Sequence, residues 1–169
     1  MQFDTSDTPT IKRRLTVLLY ETLLLFAITF VTTLVALLSF SAISESPDTP
    51  IVHIALRCCL FLIIGAYFCW HWCRTGQTLP MKTWRLRLVT QSGLPVPVKR
   101  AMARYILGWL WLLPGLAIAW ATGATGWTTF GLVLANIAAW ALTAKIHPSR
   151  QFLHDRIAGT KLIEISKSK

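Results

Sequence analysis

Charge is what this sequence has least of. Of its 169 residues, 14% are Asp, Glu, Lys or Arg, against about 25% in a soluble domain. That shortage excludes an ordinary water-soluble fold. Acids are scarcer still, seven against seventeen bases. The four cysteines, Cys58, Cys59, Cys69 and Cys73, all lie inside one apolar run. None sits on a soluble loop, so no disulfide framework is indicated, and they read as small apolar residues. His71 projects about 200° away from Cys69 on a helix, so Cys69, His71 and Cys73 do not converge on a metal. No phosphate loop of the G-x-x-x-x-G-K type is present, which excludes ATP-driven transport by this chain alone. Zinc-finger spacing and other nucleic-acid motifs are missing too, so the net charge of +10 is not read as nucleic-acid binding. His154-Asp155 has the form of a hydrolase metal dyad, but His147 is its nearest other histidine and no set of ligands follows. Neither an enzyme activity nor a cofactor is expected.

What is present is apolar sequence. Hydrophobic residues make up 54% of the chain and mean hydropathy is +0.53. The reading is an all-α membrane protein, one domain over residues 1–169, with four transmembrane helices at about 15–40, 54–73, 105–122 and 127–146. The first run is too long for a secretory signal. Gly123-Ala124-Thr125-Gly126 makes the last two spans a hairpin. Gly115, Ala119 and Gly123 form one row of small residues, and Gly131, Ala135 and Ala139 another, as close helix packing in lipid requires. Asn136, a lone polar group in the fourth run, is expected to make an interhelical hydrogen bond.

Between the second and third spans, residues 83–89 alternate polar and apolar, which is strand periodicity. The tail offers a second short strand at 160–165. Two such strands would pair beneath the bundle and cover each other's edges. Val98 to Arg104 is basic and helix-compatible, and is expected to lie along the interface. The result is a small cytoplasmic element of β-strand and amphipathic helix.

The bases set the orientation. Lys12, Arg13 and Arg14 precede the first span. Arg74, Lys82, Arg85, Arg87, Lys99, Arg100 and Arg104 fill the middle segment, and the tail adds Lys145, Arg150, Arg156, Lys161, Lys167 and Lys169. The loop 41–50 carries Glu45 and Asp48 and no base. Both termini are therefore expected in the cytoplasm, with the basic segments against anionic lipid head groups. Trp70 and Trp72 close one end of helix two, and Trp120 and Trp127 bracket the opposite turn, as interfacial rings do.

One acid lies inside the first run. Glu21 is seven residues, two helical turns, beyond Arg14, so both project from one face. An intramembrane carboxylate usually faces the bundle interior and marks a functional site. Arg57 is the one base near the far end of helix two, where it can snorkel to the interface.

Four motifs recur together: Arg13-Arg14-Leu15 before a span holding Glu21; Gly76-Gln77-Thr78-Leu79-Pro80 after the second span; Arg100 and Arg104 before the third; and Phe152-Leu153-His154-Asp155-Arg156 after the fourth. This pattern resembles the RDD family of bacterial inner-membrane proteins, named for an arginine near the start, an aspartate in the first span and an aspartate near the end. The resemblance implies Arg14, or else Arg13, for the arginine, and Asp155 for the last aspartate. Glu21 stands where the family has aspartate. The implied function is transport of a cation or proton past Glu21, in a charge network of Arg14, Glu21 and Asp155 with Arg13, Arg57, Arg100, Arg104, His154, Gln77 and Thr78 around it. A competing reading is a non-catalytic membrane partner that stabilises or regulates another envelope complex. Four short spans enclose little polar volume, so a homo-oligomer or an envelope partner is the company such a chain would keep.

Overall fold

A computed structural model describes residues 9–43, 50–146 and 151–165, with the side chains of 40–43 and 144–146 excluded. The expectations for Glu45, Asp48, His147, Arg150, Lys167 and Lys169 lie outside the described residues, as does that for the Lys145 side chain. The order is α1 (Ile11–Ile43), α2 (Pro50–Arg74), α3 (Leu79–Thr83), β1 (Leu86–Thr90), α4 (Val98–Gly108), α5 (Leu113–Thr122), α6 (Trp127–Ile146), α7 (Leu153–Ile157) and β2 (Thr160–Glu164). Among the described residues three helical stretches are long and apolar enough to cross a membrane: Ile11–Ser39, Pro50–Thr83 and Val98–Thr122. The fourth run, Trp127–Thr143, is apolar but shorter.

The third stretch departs from the expected single span at 105–122. The amphipathic segment and the start of the span are one continuous helix, α4. The break falls later, where a 3-10 turn at Trp109–Trp111 leads into α5. Pro114 is the cause. It has no N–H to give to the Leu110 carbonyl one turn back. Asn136 of α6 replaces the missing donor: its Nδ2 donates to Leu110 O at 3.2 Å and to Trp111 O at 2.7 Å. The expected interhelical bond of Asn136 is thus the cap of a proline break.

The small-residue rows divide. Gly115 and Ala119 are buried, and a Cβ at Gly115 would lie 3.0 Å from Val133 Cα, so α5 and α6 do meet backbone to backbone. Gly131, Ala135 and Ala139 are exposed. Val133 and Asn136 face α5 instead, because the Asn136 bonds fix the rotation of α6.

The buried core is not between the long helices but at the end where they meet the strands. Val17 of α1, Trp72 of α2, Met81 of α3, Leu86 and Leu88 of β1, Ala101 and Tyr105 of α4 and Leu162 of β2 form it. Trp72, expected at an interface, is buried within this cluster. Trp70, Trp120 and Trp127 are exposed.

β1 and β2 pair antiparallel, with Leu88 opposite Leu162. A two-stranded sheet is marginal alone. Here both outer edges are closed. Leu88 N donates to Gly76 O at 2.7 Å, and Gln77 Nε2 donates to Leu86 O at 2.7 Å. On the other side Gln151 donates to Leu162 O and accepts from Leu162 N, both at 3.2 Å. Gly76 is required twice over. Its φ is +70°, and a Cβ would sit 2.7 Å from Leu88 O. Gly76→Val should therefore lower stability by about 2–5 kcal/mol, from left-handed strain plus a clash with backbone. Gly123→Ala, where φ is +65° but nothing lies within 4 Å, should lose only about 1 kcal/mol. Denaturant unfolding in detergent checks both, and equal losses would contradict the edge-closing role.

Candidate functional site

The site sits in that buried end, and each wall comes from a different element. α1 carries Arg14, Val17 and Glu21 on its inward face, all buried. The seven-residue spacing does what helix geometry requires. The turn after α2 supplies Thr78. It caps α3, accepting from Met81 N at 3.4 Å, while its hydroxyl donates to Glu21 Oε1 at 2.5 Å. α4 supplies Arg104, and α7 supplies His154 and Asp155.

Arg104 and Asp155 form a buried ion pair; the aspartate is wholly inaccessible. The Arg104 guanidinium also lies over the Trp72 ring, 4.8 Å from its centroid, and interacts electrostatically with Glu21 and Arg14. Arg14 stands over the Phe152 ring at 5.6 Å. Arg14, Glu21, Trp72, Arg104 and His154 together line a cavity of about 40 Å³, room for about three waters.

His154 orders the floor. Its Nδ1 is shared by the indole N–H groups of Trp111 and Trp140, each at 3.2 Å. An indole only donates, so Nδ1 carries the lone pair and Nε2 the proton. Nε2 then faces Asp155 Oδ1 at 3.0 Å. Burial, with repulsion from Arg104 and Arg14, holds His154 well below its usual 6.5. The unfolded chain therefore binds a proton that the folded chain refuses. Stability should be whole above about pH 6.5 and fall as pH drops, by up to about 1.4 kcal/mol per pH unit from this group. His154→Gln should flatten that part of the slope in unfolding titrations. An unchanged slope would contradict the assignment.

The remaining candidates are placed elsewhere. Arg13 pairs with Glu164 of β2 and ties α1 to the sheet. Arg100 donates to Gly159 O at 3.0 Å. Gln77 holds the β1 edge, as above. Arg57 is exposed on α2 and lines no part of the cavity. Three members escaped the sequence reading: Trp72, Trp111 and Trp140. A usable signal existed for the last two. They lie away from the ends of their runs, and a buried indole needs an acceptor.

The network thus gathers an arginine and an acid from the first helix, an arginine from the third stretch and an aspartate from the tail. No curated protein and no solved structure matches this chain. A model of the RDD family matches residues 8–159, which include every residue of the site. The chain belongs to the RDD family.

Proposed function

We propose that the chain is a four-span, multi-pass inner-membrane protein, both termini cytoplasmic, that transports by protonating and deprotonating Glu21. Twenty residues of α6 rise about 30 Å, the thickness of the hydrocarbon core, which supports a fourth crossing. The bases of the N-terminal, middle and tail segments and the uncharged turn 123–126 support the orientation.

The observation that carries the transport reading is Glu21 itself. It is a buried acid beside a small hydrated-size cavity, held by Thr78 and within the field of Arg104. Two guanidiniums on the same cavity disfavour a metal cation there and favour a proton, which adds charge without volume. When Glu21 takes a proton, Arg104 loses one of its two anionic neighbours and turns wholly to Asp155. That shift links the carboxyl to α4 and α7. Proton flux across proteoliposomes, with sodium, potassium and chloride gradients in turn, tests the reading.

The cavity's small volume favours a second reading, a non-catalytic partner of another envelope complex. Absence of flux under every gradient, with one protein co-purifying in fixed ratio from mild detergent, would select it.

A further inference from the structure

We propose that Tyr67 and His71 of α2 form a proton relay between Glu21 and the water at the strand end of that helix. The relay rests on Glu21 taking and giving a proton, as above, but not on flux. Glu21 is only 8% exposed, so its proton must pass through a neighbour. Among the described residues its polar neighbours are Arg14 on its own helix, Tyr67 and Trp72 on α2, Thr78 before α3, Arg104 on α4, and His154 with Asp155 on α7. Guanidiniums and indoles hold their protons and do not relay them. Thr78 is wholly buried, its hydroxyl shared between Glu21 and Met81 N, and leads no further. His154 has both nitrogens engaged, Nδ1 by two indoles and Nε2 by Asp155, and Asp155 is itself inaccessible. Tyr67 remains.

Tyr67 meets the acid at the turn that Thr78 supplies. Thr78 donates to Glu21, and the N–H of the next residue, Leu79, approaches the Tyr67 phenol oxygen without closing a full hydrogen bond. Neighbouring Cα atoms are about 3.8 Å apart, so carboxyl and phenol flank one short piece of backbone, and the two interact electrostatically. The phenol oxygen is buried, and its O–H can turn to the carboxylate. Against the same ring packs His71, with 4.5 Å between centroids. Its Nδ1 donates to Tyr67 O at 2.8 Å. A carbonyl only accepts, so Nε2 is the nitrogen that gains and loses a proton. His71 is half-buried and lies three residues before exposed Arg74, where α2 ends. The transfer conserves protons. A proton on His71 Nε2 forms a new O–H bond at Tyr67 while the original phenol proton passes to Glu21. Imidazolium becomes imidazole, carboxylate becomes carboxylic acid, and the phenol is neutral before and after. The reverse sequence discharges Glu21.

The measurement is the rate at which Glu21 gains its proton, read as an infrared carboxylic-acid band after a rapid drop in pH, with the full chain in detergent. Loss of the band in Glu21→Gln, or its shift in Glu21→Asp, assigns it. Tyr67→Phe keeps the ring against His71 and removes only the hydroxyl. Its band should reach the wild-type height but grow about a hundredfold more slowly, the low end of what a positioned proton-transfer group contributes. His71→Ala should be slowed likewise, and imidazole added to the buffer should restore its rate, an outcome that a packing role does not produce. The wild-type rate in either variant overturns the relay, with water in the cavity then the carrier. Absence of the band in wild type overturns the relay and the protonation of Glu21 together. Slowed exchange in both variants without proton flux in wild type would remove the transport reading and leave the relay standing; flux beside unslowed exchange would do the reverse.

Discussion

Asp155→Asn should be the most damaging conservative substitution in the chain, lowering stability by about 3–5 kcal/mol. The side chain keeps its shape but loses its charge, and it is wholly buried against Arg104, itself only 9% exposed. Arg104 would then stand uncompensated in the protein interior. His154 Nε2 loses a charged acceptor at the same stroke. Against a usual stability of about 5–15 kcal/mol for a folded domain, that loss is large enough to reduce yield as well as unfolding midpoint. The comparison pair is Arg13–Glu164, whose side chains are 30% and 32% exposed. Glu164→Gln should lose under about 1 kcal/mol, as half-solvated pairs do. A double substitution, Asp155→Asn with Arg104→Gln, should recover more than about 1 kcal/mol relative to the sum of the singles. Strict additivity would mean that the two groups do not hold each other. Urea or SDS unfolding in mild detergent reads all four proteins.

The second large effect is on activity. Glu21→Gln should bring proton flux in proteoliposomes down to that of protein-free vesicles. The amide is nearly isosteric, and its oxygen still accepts the Thr78 hydroxyl, so the contact between α1 and α3 survives. What disappears is the one carboxyl that, among the described residues, α1 places on this cavity. Helical circular dichroism unchanged beside absent flux is the expected pair of results. Flux retained in Glu21→Gln would exclude Glu21 as the carrier. Loss of helicity in Glu21→Gln would make the acid structural. Glu21→Asp gives an intermediate case: the charge stays, one methylene is lost, and the carboxyl falls short of Thr78, so reduced flux is expected rather than none.

Local spacing accounts for most of what could be read ahead of the structure. Arg14 and Glu21 share a face because seven residues are two turns, and both are buried on it. Strand alternation placed β1 within three residues and β2 within one, since cross-strand pairing obeys the same period. Pairings between distant segments left no such trace. Thr78 meets Glu21 across 57 residues, and nothing in either neighbourhood announces the other. Arg14, Arg100 and Arg104 are all distant from Asp155 in sequence, and its pairing with Arg104 is set by how α4 lies on α7. The exposed row Gly131, Ala135 and Ala139 looked equivalent to the buried row on α5. Small size permits close packing but does not say which face will use it; Asn136 decides that.

The order in which these groups emerge from the ribosome has its own consequence. Glu21 precedes Asp155 by roughly 130 residues, about 7–26 s of synthesis at 5–20 residues per second. Thr78 and Arg104 also arrive late. During that interval the nascent first helix must enter the bilayer with Arg14 as the one charged companion of Glu21 already made, against a penalty of up to about 3 kcal/mol. A chain stalled before Thr78 would present to the membrane a carboxyl that lacks both its hydroxyl donor and the guanidinium of α4.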